Sequence, residues 1–303
     1  MILVTGAAGF IGRNLVRELV YKKQSVLAVD LEELENPAIG GEYLKFIRGD
    51  LRNNDTLNEI FNHNIDAVVH LAAFTRVLDS VNRPRDYFVN NVVVTENLLE
   101  LAVQNKVKKF LFASSNAVAG DVGFSLITAK NSLSPQSPYG ATKAASEMML
   151  SAFQYSYGIQ TVRLRFTNIY GTDMATKDSF IARLCKATMG NKKIEIYGDG
   201  NQVRDYIFLE DVLNAIDTCL SLDVPEIIVV GSGSSISVNE LVDEFQNVTK
   251  VKLDISYVAA KTGEMKAVIV DNSTLKAIGV GEVTELQAGL EKTWNWFASN
   301  FKN

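Results

Sequence analysis

The sequence begins with Ile2-Leu3-Val4-Thr5-Gly6-Ala7-Ala8-Gly9-Phe10-Ile11-Gly12, a short apolar run followed by three spaced glycines. The apolar run is typical of a buried parallel strand. The residues that follow place Ile11, Leu15 and Leu19 on one stripe of a helix. A strand, a glycine turn and a helix present backbone N–H groups and a positive helix end to a pyrophosphate. The stretch therefore predicts a dinucleotide-binding turn.

The glycine spacing is GxxGxxG, a variant of the more familiar GxGxxG. We expect Gly6 to allow the tight turn, Gly9 to let the backbone approach a ligand, and Gly12 to let helix and strand pack closely. An ordinary glycine-rich strand-to-helix turn is the alternative. If the turn binds a dinucleotide, we expect Phe10 and Ile11 to contact the cofactor together with the three glycines.

A second strand, residues 25–30, ends in an acid, Asp30. This acid lies roughly 20 residues after the glycines, where a carboxylate can accept hydrogen bonds from an adenosine ribose. A carboxylate would also repel a 2′-phosphate, and Leu31-Glu32-Glu33 adds negative charge without an arginine. The sequence therefore predicts NAD rather than NADP.

Composition is that of an ordinary globular enzyme: 303 residues, 47% hydrophobic and 21% charged, with a net charge of −5. This charge argues against nucleic-acid binding. No apolar run approaches the ~20 residues of a membrane span, and the N-terminus enters a strand at once, which leaves no room for a signal peptide. With only two cysteines, far apart, and two histidines, we expect no metal and a reducing, cytoplasmic location.

Strand and helix patterns alternate along the first half of the chain, which predicts an α/β fold with a doubly wound parallel (Rossmann) sheet. Further strands are expected at 43–47, 66–71, 108–113 and 161–166, and helices at 87–105 and 139–157. After Gly171 the strand candidates become shorter. We expect a cofactor-binding domain from residues 1–170 and about 200–235, and a smaller α/β substrate-binding lobe from about 171–199 and 236–303.

Tyr139 and Lys143 lie four residues apart in Ser137-Pro138-Tyr139-Gly140-Ala141-Thr142-Lys143, on one face of the start of a helix. A nearby ammonium, together with a cationic nicotinamide ring, would favour the phenolate and make Tyr139 a base for a sugar or alcohol hydroxyl. The alternative is an ordinary exposed Tyr–Lys pair on the surface of a helix.

Ser114 and Ser115 follow the apolar run 110–113, and the carboxyl ends of parallel strands line the ligand crevice of such sheets. A hydroxyl there can stabilise charge on a reacting oxygen. The alternative is a turn that simply ends the strand.

Taken together, these motifs resemble the extended short-chain dehydrogenase/reductase family, and within it the nucleotide-sugar 4-epimerases of the UDP-glucose 4-epimerase type. The motifs that carry the resemblance are residues 5–12, Gly49-Asp50-Leu51, His70-Leu71-Ala72-Ala73, Tyr139 to Lys143, and Arg204-Asp205-Tyr206-Ile207. The similarity extends from Ile2 to the final helix.

The resemblance implies a role for each matching residue. Ser115 would be the catalytic hydroxyl, Tyr139 the base and Lys143 the residue that holds the nicotinamide ribose. Further cofactor contacts are implied for Asp50, Leu51, Leu71, Ala72, Ala73, Asn90 and Ser114.

On the substrate side, the resemblance implies that Asn168 and Arg204 bind a diphosphate, for which a guanidinium fork is well suited. Lys261 stands where many relatives carry a second phosphate-binding arginine, so the charge is kept and the fork is lost. Val268 lies where some relatives place a bulky residue near the sugar 2-substituent, and its small side chain hints at tolerance for an N-acetyl group.

The reaction follows from a comparison within the resembled family. Related dehydratases and decarboxylases carry acids just after the catalytic hydroxyl, because dehydration needs a second acid and base. Residues 114–118 contain no carboxylate, and Asp121 lies beyond Gly120. We therefore expect an NAD-dependent 4-epimerase acting on a UDP-hexose or UDP-N-acetylhexosamine.

Three other reactions and one non-enzymatic class remain as alternatives. The reactions are those of a dehydratase, a decarboxylase and a 4-keto-sugar reductase, and the class is a dinucleotide-binding sensor or scaffold. The resemblance also implies a homodimer that forms through the helices after Pro84 and after Tyr139.

Overall fold

The computed structural model describes residues 1–34, 41–260 and 265–301. Strands and helices alternate through the first half, in the order β1 (Ile2–Thr5), α1 (Phe10–Tyr21), β2 (Val26–Asp30), β3 (Leu44–Arg48), α2 (Asn54–Phe61), β4 (Ala67–His70), α3 (Val77–Asn82), α4 (Pro84–Phe88), a π-helical segment (Val89–Val93), α5 (Val94–Gln104), β5 (Lys109–Ser115), a 3-10 turn (Asn116–Val118), β6 (Leu126–Ile127) and α6 (Pro138–Tyr157).

The second half has shorter strands. Its elements are β7 (Gln160–Phe166), β8 (Asn168–Tyr170), α7 (Phe180–Gly190), β9 (Ile194–Tyr197), β10 (Val203–Phe208), α8 (Leu209–Ser221), β11 (Ile227–Val230), β12 (Ser235–Ser237), α9 (Val238–Thr249), β13 (Ile255–Val258), β14 (Ile269–Val270), α10 (Ser273–Ala277) and α11 (Leu286–Asn300).

A seven-stranded sheet of order β11-β7-β5-β4-β1-β2-β3 forms the centre of the fold. The pairs β3–β2, β2–β1, β1–β4 and β4–β5 are parallel. The strand order reverses beside β1, so the predicted doubly wound α/β fold is confirmed. In such a sheet, ligands bind beyond the carboxyl ends of the strands at this reversal, where the glycine turn lies.

The chain contacts divide the protein into two units. Unit 1 consists of residues 1–120, 132–165 and 216–228, and unit 2 of residues 121–131, 166–215 and 229–303. Residues 200–215 and 229–235, which the sequence assigned to the cofactor-binding domain, have their contacts in unit 2, because β10 pairs with β8 and β12. The assignment of cofactor and sugar to the two parts stays a prediction.

Unit 1 has a continuous apolar core between the sheet and its helices. Leu3, Leu27, Val68 and Phe110 on four strands are inaccessible to solvent and pack with Leu98 of α5. Full burial of each such side chain is worth about 1.5–3 kcal/mol. This core holds the strand ends in fixed positions, which the residues of the site require.

Two local features differ from the sequence-based expectations. The helix expected at 87–105 is interrupted by the π-helical turn Val89–Val93, a feature that hydrophobic spacing does not signal. Ser114 and Ser115 are the last two residues of β5 rather than the residues after it. Helix α6 does end at Gly158, which has a left-handed backbone with φ of +75°.

Lys109 caps the C-terminal end of α8 with its side chain. Its buried ammonium donates to the carbonyl oxygens of Cys219 at 2.9 Å and Leu222 at 2.7 Å. Because these carbonyls have no partner within the helix, we expect Lys109→Met to destabilise the protein by about 2 kcal/mol.

The thermal unfolding midpoint measures this loss, and Lys108→Met, which alters the neighbouring exposed lysine, is the matched control. A Lys109→Met protein with the midpoint of the control would show that the cap contributes nothing.

In the part of the chain that the structure describes, no helix is both long enough and apolar enough to cross a membrane. The same residues include no group of His, Cys, Asp and Glu side chains arranged to hold a metal ion.

Candidate active site

At two positions of the glycine turn between β1 and α1, the structure has no space for a side chain. Gly6 has φ of +70°, and a Cβ there would lie 2.7 Å from the backbone nitrogen of Ala72. A Cβ on Gly12 would overlap the carbonyl oxygen of Gly6. Gly9 is the N-cap of α1, and within the described residues no side chain caps that helix end. The turn therefore has the close packing and the uncapped helix end that a pyrophosphate site needs.

Asp30 stands beside this turn at the end of β2. Its carboxylate accepts hydrogen bonds from the backbone N–H of Ala8 at 2.9 Å and of Glu32 at 3.1 Å. Asp50, expected near the adenine, pairs with Arg52 at 2.6 Å, and this arginine lowers the pKa of the carboxyl. The glycine turn and the acid at the end of β2 fit a dinucleotide with a free ribose 2′-hydroxyl.

The π-helical turn brings two asparagines into different positions. Asn90 is half-buried and its amide donates to Asn91 Oδ1 at 3.1 Å. Asn91 is buried and bonds both the N–H and the C=O of Phe74, at 2.8 and 2.9 Å, and donates to Thr142 Oγ1 at 3.0 Å. Asn91 thus ties the segment after β4, which contains Ala72 and Ala73, to helix α6. The sequence analysis missed this residue, since the pair of asparagines does not show which one turns inward.

Tyr139 is buried near the start of α6, close to the end of β5. Its backbone N–H donates to Ser80 Oγ of α3 at 3.1 Å, and its phenol lies near the hydroxyl of Ser115. Burial raises the pKa of the phenol, and the nearby Ser115 hydroxyl only partly offsets this rise. The sequence predicted that the ammonium of Lys143, together with a cationic nicotinamide ring, lowers that pKa, and for the cofactor-bound protein this stays a prediction. Among the described residues burial outweighs any such effect, because charge is costly in a site closed to water.

Lys143 lies one helical turn further along α6 and is also buried. Its Nζ donates to the carbonyl oxygen of Ala113 at 2.7 Å and lies 4.6 Å from the centre of the Phe112 ring. Burial lowers the pKa of Lys143 to about 7, and the charge of Glu147 partly opposes this. Lys143 is therefore anchored to the last residues of β5.

The two serines at the end of β5 have different surroundings. Ser115 Oγ accepts from the Ala117 N–H at 3.2 Å and starts the 3-10 turn, while remaining close to Tyr139. Ser114 Oγ donates to the buried carboxylate of Glu147 at 2.5 Å. The hydroxyl of Ser114 is thus engaged inside the protein, and its cofactor contact stays a prediction.

Unit 2 contains a cavity of about 200 Å³ that two of the predicted substrate residues, Asn168 and Arg204, line. The amide of Asn168 donates to the carbonyl oxygen of Asp205 at 2.9 Å, which fixes its orientation. Val268 is buried, and its N–H donates to Val203 O at 2.9 Å. It is not among the residues that line this cavity, and Lys261 lies outside the described residues.

Arg183 of α7 is a cavity residue that the sequence analysis missed. Its guanidinium stacks on Phe180 at 5.3 Å. Its Nε and the Oγ of Ser179 are buried and have no hydrogen-bond partner among the residues that the structure describes. The only signal in the sequence was a basic residue in an apolar helix, which is common. Two arginines and one acid, Glu195, thus line the cavity, and the guanidinium groups suit an anionic ligand.

The fold and the Ser–Tyr–Lys arrangement define a dinucleotide-dependent enzyme in which a buried phenol faces a hydroxyl at the end of a central strand. The chain belongs to the NAD dependent epimerase/dehydratase family, whose profile matches residues 2–231. The predicted family and the predicted cofactor, NAD, are thereby confirmed.

Several individual proteins are similar over their whole length. The chain is 31% identical over 303 residues to a putative UDP-glucose 4-epimerase from Methanocaldococcus jannaschii, covering 99% of both. It is 32% identical to a UDP-N-acetylglucosamine 4-epimerase from Methanobrevibacter ruminantium solved with UDP-N-acetylmuramic acid, with a TM-score of 0.91 over 99% of this chain and 98% of that one. MoeE5, solved with UDP-glucuronic acid and NAD, is 34% identical, with a TM-score of 0.90 over 99% of both chains.

Dehydratases also occur among the relatives. A trifunctional UDP-glucose 4,6-dehydratase from Arabidopsis thaliana is 30% identical, and the match covers 99% of this chain and 47% of that protein. Family membership therefore establishes an enzyme of the epimerase/dehydratase group, and the reaction has to be argued from the site.

Proposed function

We propose that this protein is an NAD-dependent nucleotide-sugar 4-epimerase acting on a UDP-hexose or UDP-N-acetylhexosamine. The observation that carries the proposal is the burial of the Tyr139 phenol near the Ser115 hydroxyl, with Lys143 anchored one helical turn away. This arrangement supplies one group that takes and returns a proton and one hydroxyl beside it.

Tyr139 acts in this proposal as the base for the sugar C4 hydroxyl, and Ser115 hydrogen-bonds the same oxygen as charge develops on it. The glycine turn and Lys143 would hold NAD, which would supply the acceptor and donor of the C4 hydride. Because the phenol pKa is raised by burial, Tyr139 is fully protonated in the chain alone and needs a cation nearby to act as a base. Lys143 is the described cation on the same helix face.

Epimerisation is favoured over dehydration by what surrounds Ser115. Residues 114–120 contain no Asp or Glu. Asp121, the next acid, is in unit 2, and its Oδ1 accepts from the Gly123 N–H at 2.8 Å within its own turn. An epimerase needs only one proton-transferring group, whereas a 4,6-dehydratase needs a second acid–base pair.

The unit 2 cavity supports a diphosphate-linked substrate. Arg204 and Arg183 provide two guanidinium groups of the cavity lining, and the charges of both lower the pKa of Tyr206 against the raising effect of its burial, so both lie near this phenol. Phe180 and Tyr197 add aromatic surface that a uracil ring can stack on. We assign the diphosphate to the arginines, and the base to the aromatic side of the cavity.

A product assay tests the proposal. The purified protein is incubated without added NAD with UDP-glucose, UDP-glucuronic acid and UDP-N-acetylglucosamine, and products are followed by mass spectrometry and proton NMR. A C4 epimer of unchanged mass is the expected result and identifies the sugar. Loss of water or carbon dioxide would transfer the assignment to a dehydratase or a decarboxylase, and a product formed only from a 4-keto sugar would indicate a reductase.

We also propose a homodimer and a reducing, cytoplasmic location. The location is supported by Cys185 and Cys219, which are free and buried. Burial raises the pKa of each thiol to about 12, so both stay in the unreactive thiol form.

The dimer is supported by exposed apolar side chains on neighbouring helices of unit 1, namely Leu78, Val81, Phe88, Val93 and Met148. An apolar surface of this kind is typical of a protein–protein interface. We expect Met148→Glu to convert a dimer into a monomer, because it replaces the exposed side chain of Met148 with a charge.

Light scattering coupled to size exclusion measures the change, and Phe124→Glu, at an exposed phenylalanine of unit 2, is the matched control. A monomeric wild-type protein, or a dimeric Met148→Glu variant, would refute this interface.

A further inference from the structure

Behind the Tyr–Lys pair lies a buried polar network that joins three elements of unit 1. Arg165 of β7 donates to both carboxylate oxygens of Glu147, from Nε at 3.0 Å and from a terminal nitrogen at 2.7 Å. Ser114 of β5 donates to the same carboxylate at 2.5 Å. All three side chains are no more than 3% exposed. The network therefore links α6 to the ends of two strands, including the strand that carries Ser115.

A buried ion pair is weak evidence for stability, because removing both charges from water costs about as much as their attraction returns. Apolar side chains of similar size would fill this space at least as well. The position of the pair is therefore more informative than its strength: Glu147 is one helical turn from Lys143, and Ser114 is next to Ser115 in sequence.

We propose that Glu147 is a positioning residue, which through Ser114 and Arg165 holds the helix of Tyr139 and Lys143 against the strand end of Ser115. This inference rests on the proposed function, since the three residues it positions are those assigned to the proton transfer. It adds a residue that contacts neither the sugar nor the cofactor.

The charges around Lys143 are consistent with this role. Among the described residues, Glu147 on its own helix acts on the pKa of Lys143, and the charge of Lys143 acts on His70 of β4. Tyr139 lies one helical turn before Lys143 on α6, and Arg165 of β7 is hydrogen-bonded to Glu147. His70 is neutral at working pH, because burial and the charge of Lys143 lower its pKa to about 3. Glu147 is thus the group that favours the protonated form of Lys143, as its effect on the lysine pKa indicates.

The test separates positioning from stability by removing the pair together. Glu147→Gln alone leaves the Arg165 guanidinium buried without its counter-ion and is expected to fold poorly. The double variant Glu147→Met with Arg165→Met removes both charges and keeps the volume. The matched control is Arg163→Met with Glu226→Met, which removes another Arg–Glu pair, 3.0 Å apart, whose Glu226 accepts from Gln154 near the far end of α6, about three helical turns beyond Lys143.

For the Glu147/Arg165 double variant we expect kcat to fall about tenfold, with KM and bound NAD within about twofold of wild type. In its pH–rate profile, the limb that reports the titration of Lys143 is expected to move to lower pH by about one unit. The control is expected to keep wild-type kcat. A folded double variant with wild-type kcat and pH profile would overturn the proposal and leave the network purely structural.

A second readout does not depend on the reaction. The pKa of Lys143 is about 7 in the folded protein against 10.5 as the ordinary value, so between these the unfolded chain binds more protons and stability rises with pH. The thermal midpoints of the wild-type and Lys143→Met proteins are measured across a pH series. The difference between them at each pH isolates this contribution. In the double-variant background the rise is expected to begin at lower pH, and an unchanged curve would contradict the electrostatic part of the proposal even if the wild type proved not to be an epimerase.

Discussion

Replacing Tyr139 by Phe is expected to reduce kcat by about a thousandfold while leaving the fold and NAD binding intact. The hydroxyl is the one proton-transferring group that the side chain provides, and the Ser115 hydroxyl lies near it. The ring is buried, with 9% of its surface exposed, and phenylalanine keeps that packing. The backbone bond from residue 139 to Ser80 also remains, because it uses the main-chain N–H.

The measurement is the initial rate of 4-epimer formation, together with the thermal midpoint and the NAD content of the purified variant. Tyr157→Phe, at the exposed end of the same helix, is the matched control and should behave as wild type. If Tyr139→Phe retained more than about a tenth of the activity, the proton would have to be transferred by another group.

Replacing Gly12 by Ala is expected to abolish stable NAD binding and to lower stability by about 2–4 kcal/mol. The added Cβ would overlap the carbonyl oxygen of Gly6 and crowd the Cα of Ala7, both of which are backbone atoms of the turn. Neither can move without displacing the N-terminus of α1 from β1. Since that helix end is the proposed pyrophosphate site, cofactor binding and stability should be lost together.

Cofactor content after purification and the affinity for added NAD measure the first effect, and the thermal midpoint measures the second. Gly281→Ala is the control, because a Cβ at Gly281 meets nothing within 4 Å and its backbone is not left-handed. A Gly12→Ala protein that retained its NAD would show that α1 can shift without loss, and the assignment of the turn would fail.

Local sequence was sufficient for the first strands of the sheet and for helices α1 and α6. The apolar strands, the glycine turn and the acid that ends β2 are each recognisable from about a dozen neighbouring residues. This is because hydrophobic patterning and glycine conformation are local properties. The same holds for Tyr139 and Lys143, since a spacing of four residues places two side chains on one helix face regardless of the rest of the protein.

Long-range contacts decided the rest. Which asparagine of the 90–91 pair turns inward depends on the π-helical turn and on Phe74 and Thr142, which no local pattern indicates. The partners of Glu147 come from β5 and β7, 33 and 18 residues away along the chain. The direction of the Tyr139 pKa shift depends on burial, a property of the packed protein, which is why the pKa is raised in the chain alone, while the lowering expected from Lys143 together with a nicotinamide ring stays a prediction.

The sequence by itself thus determined the sheet, the dinucleotide turn and the identity of the Ser, Tyr and Lys side chains. Only the tertiary structure decided which residues support them and how water is excluded from them. The physical reason is that helix and strand periodicity act over a few residues, whereas desolvation and buried hydrogen bonds arise when distant segments pack together.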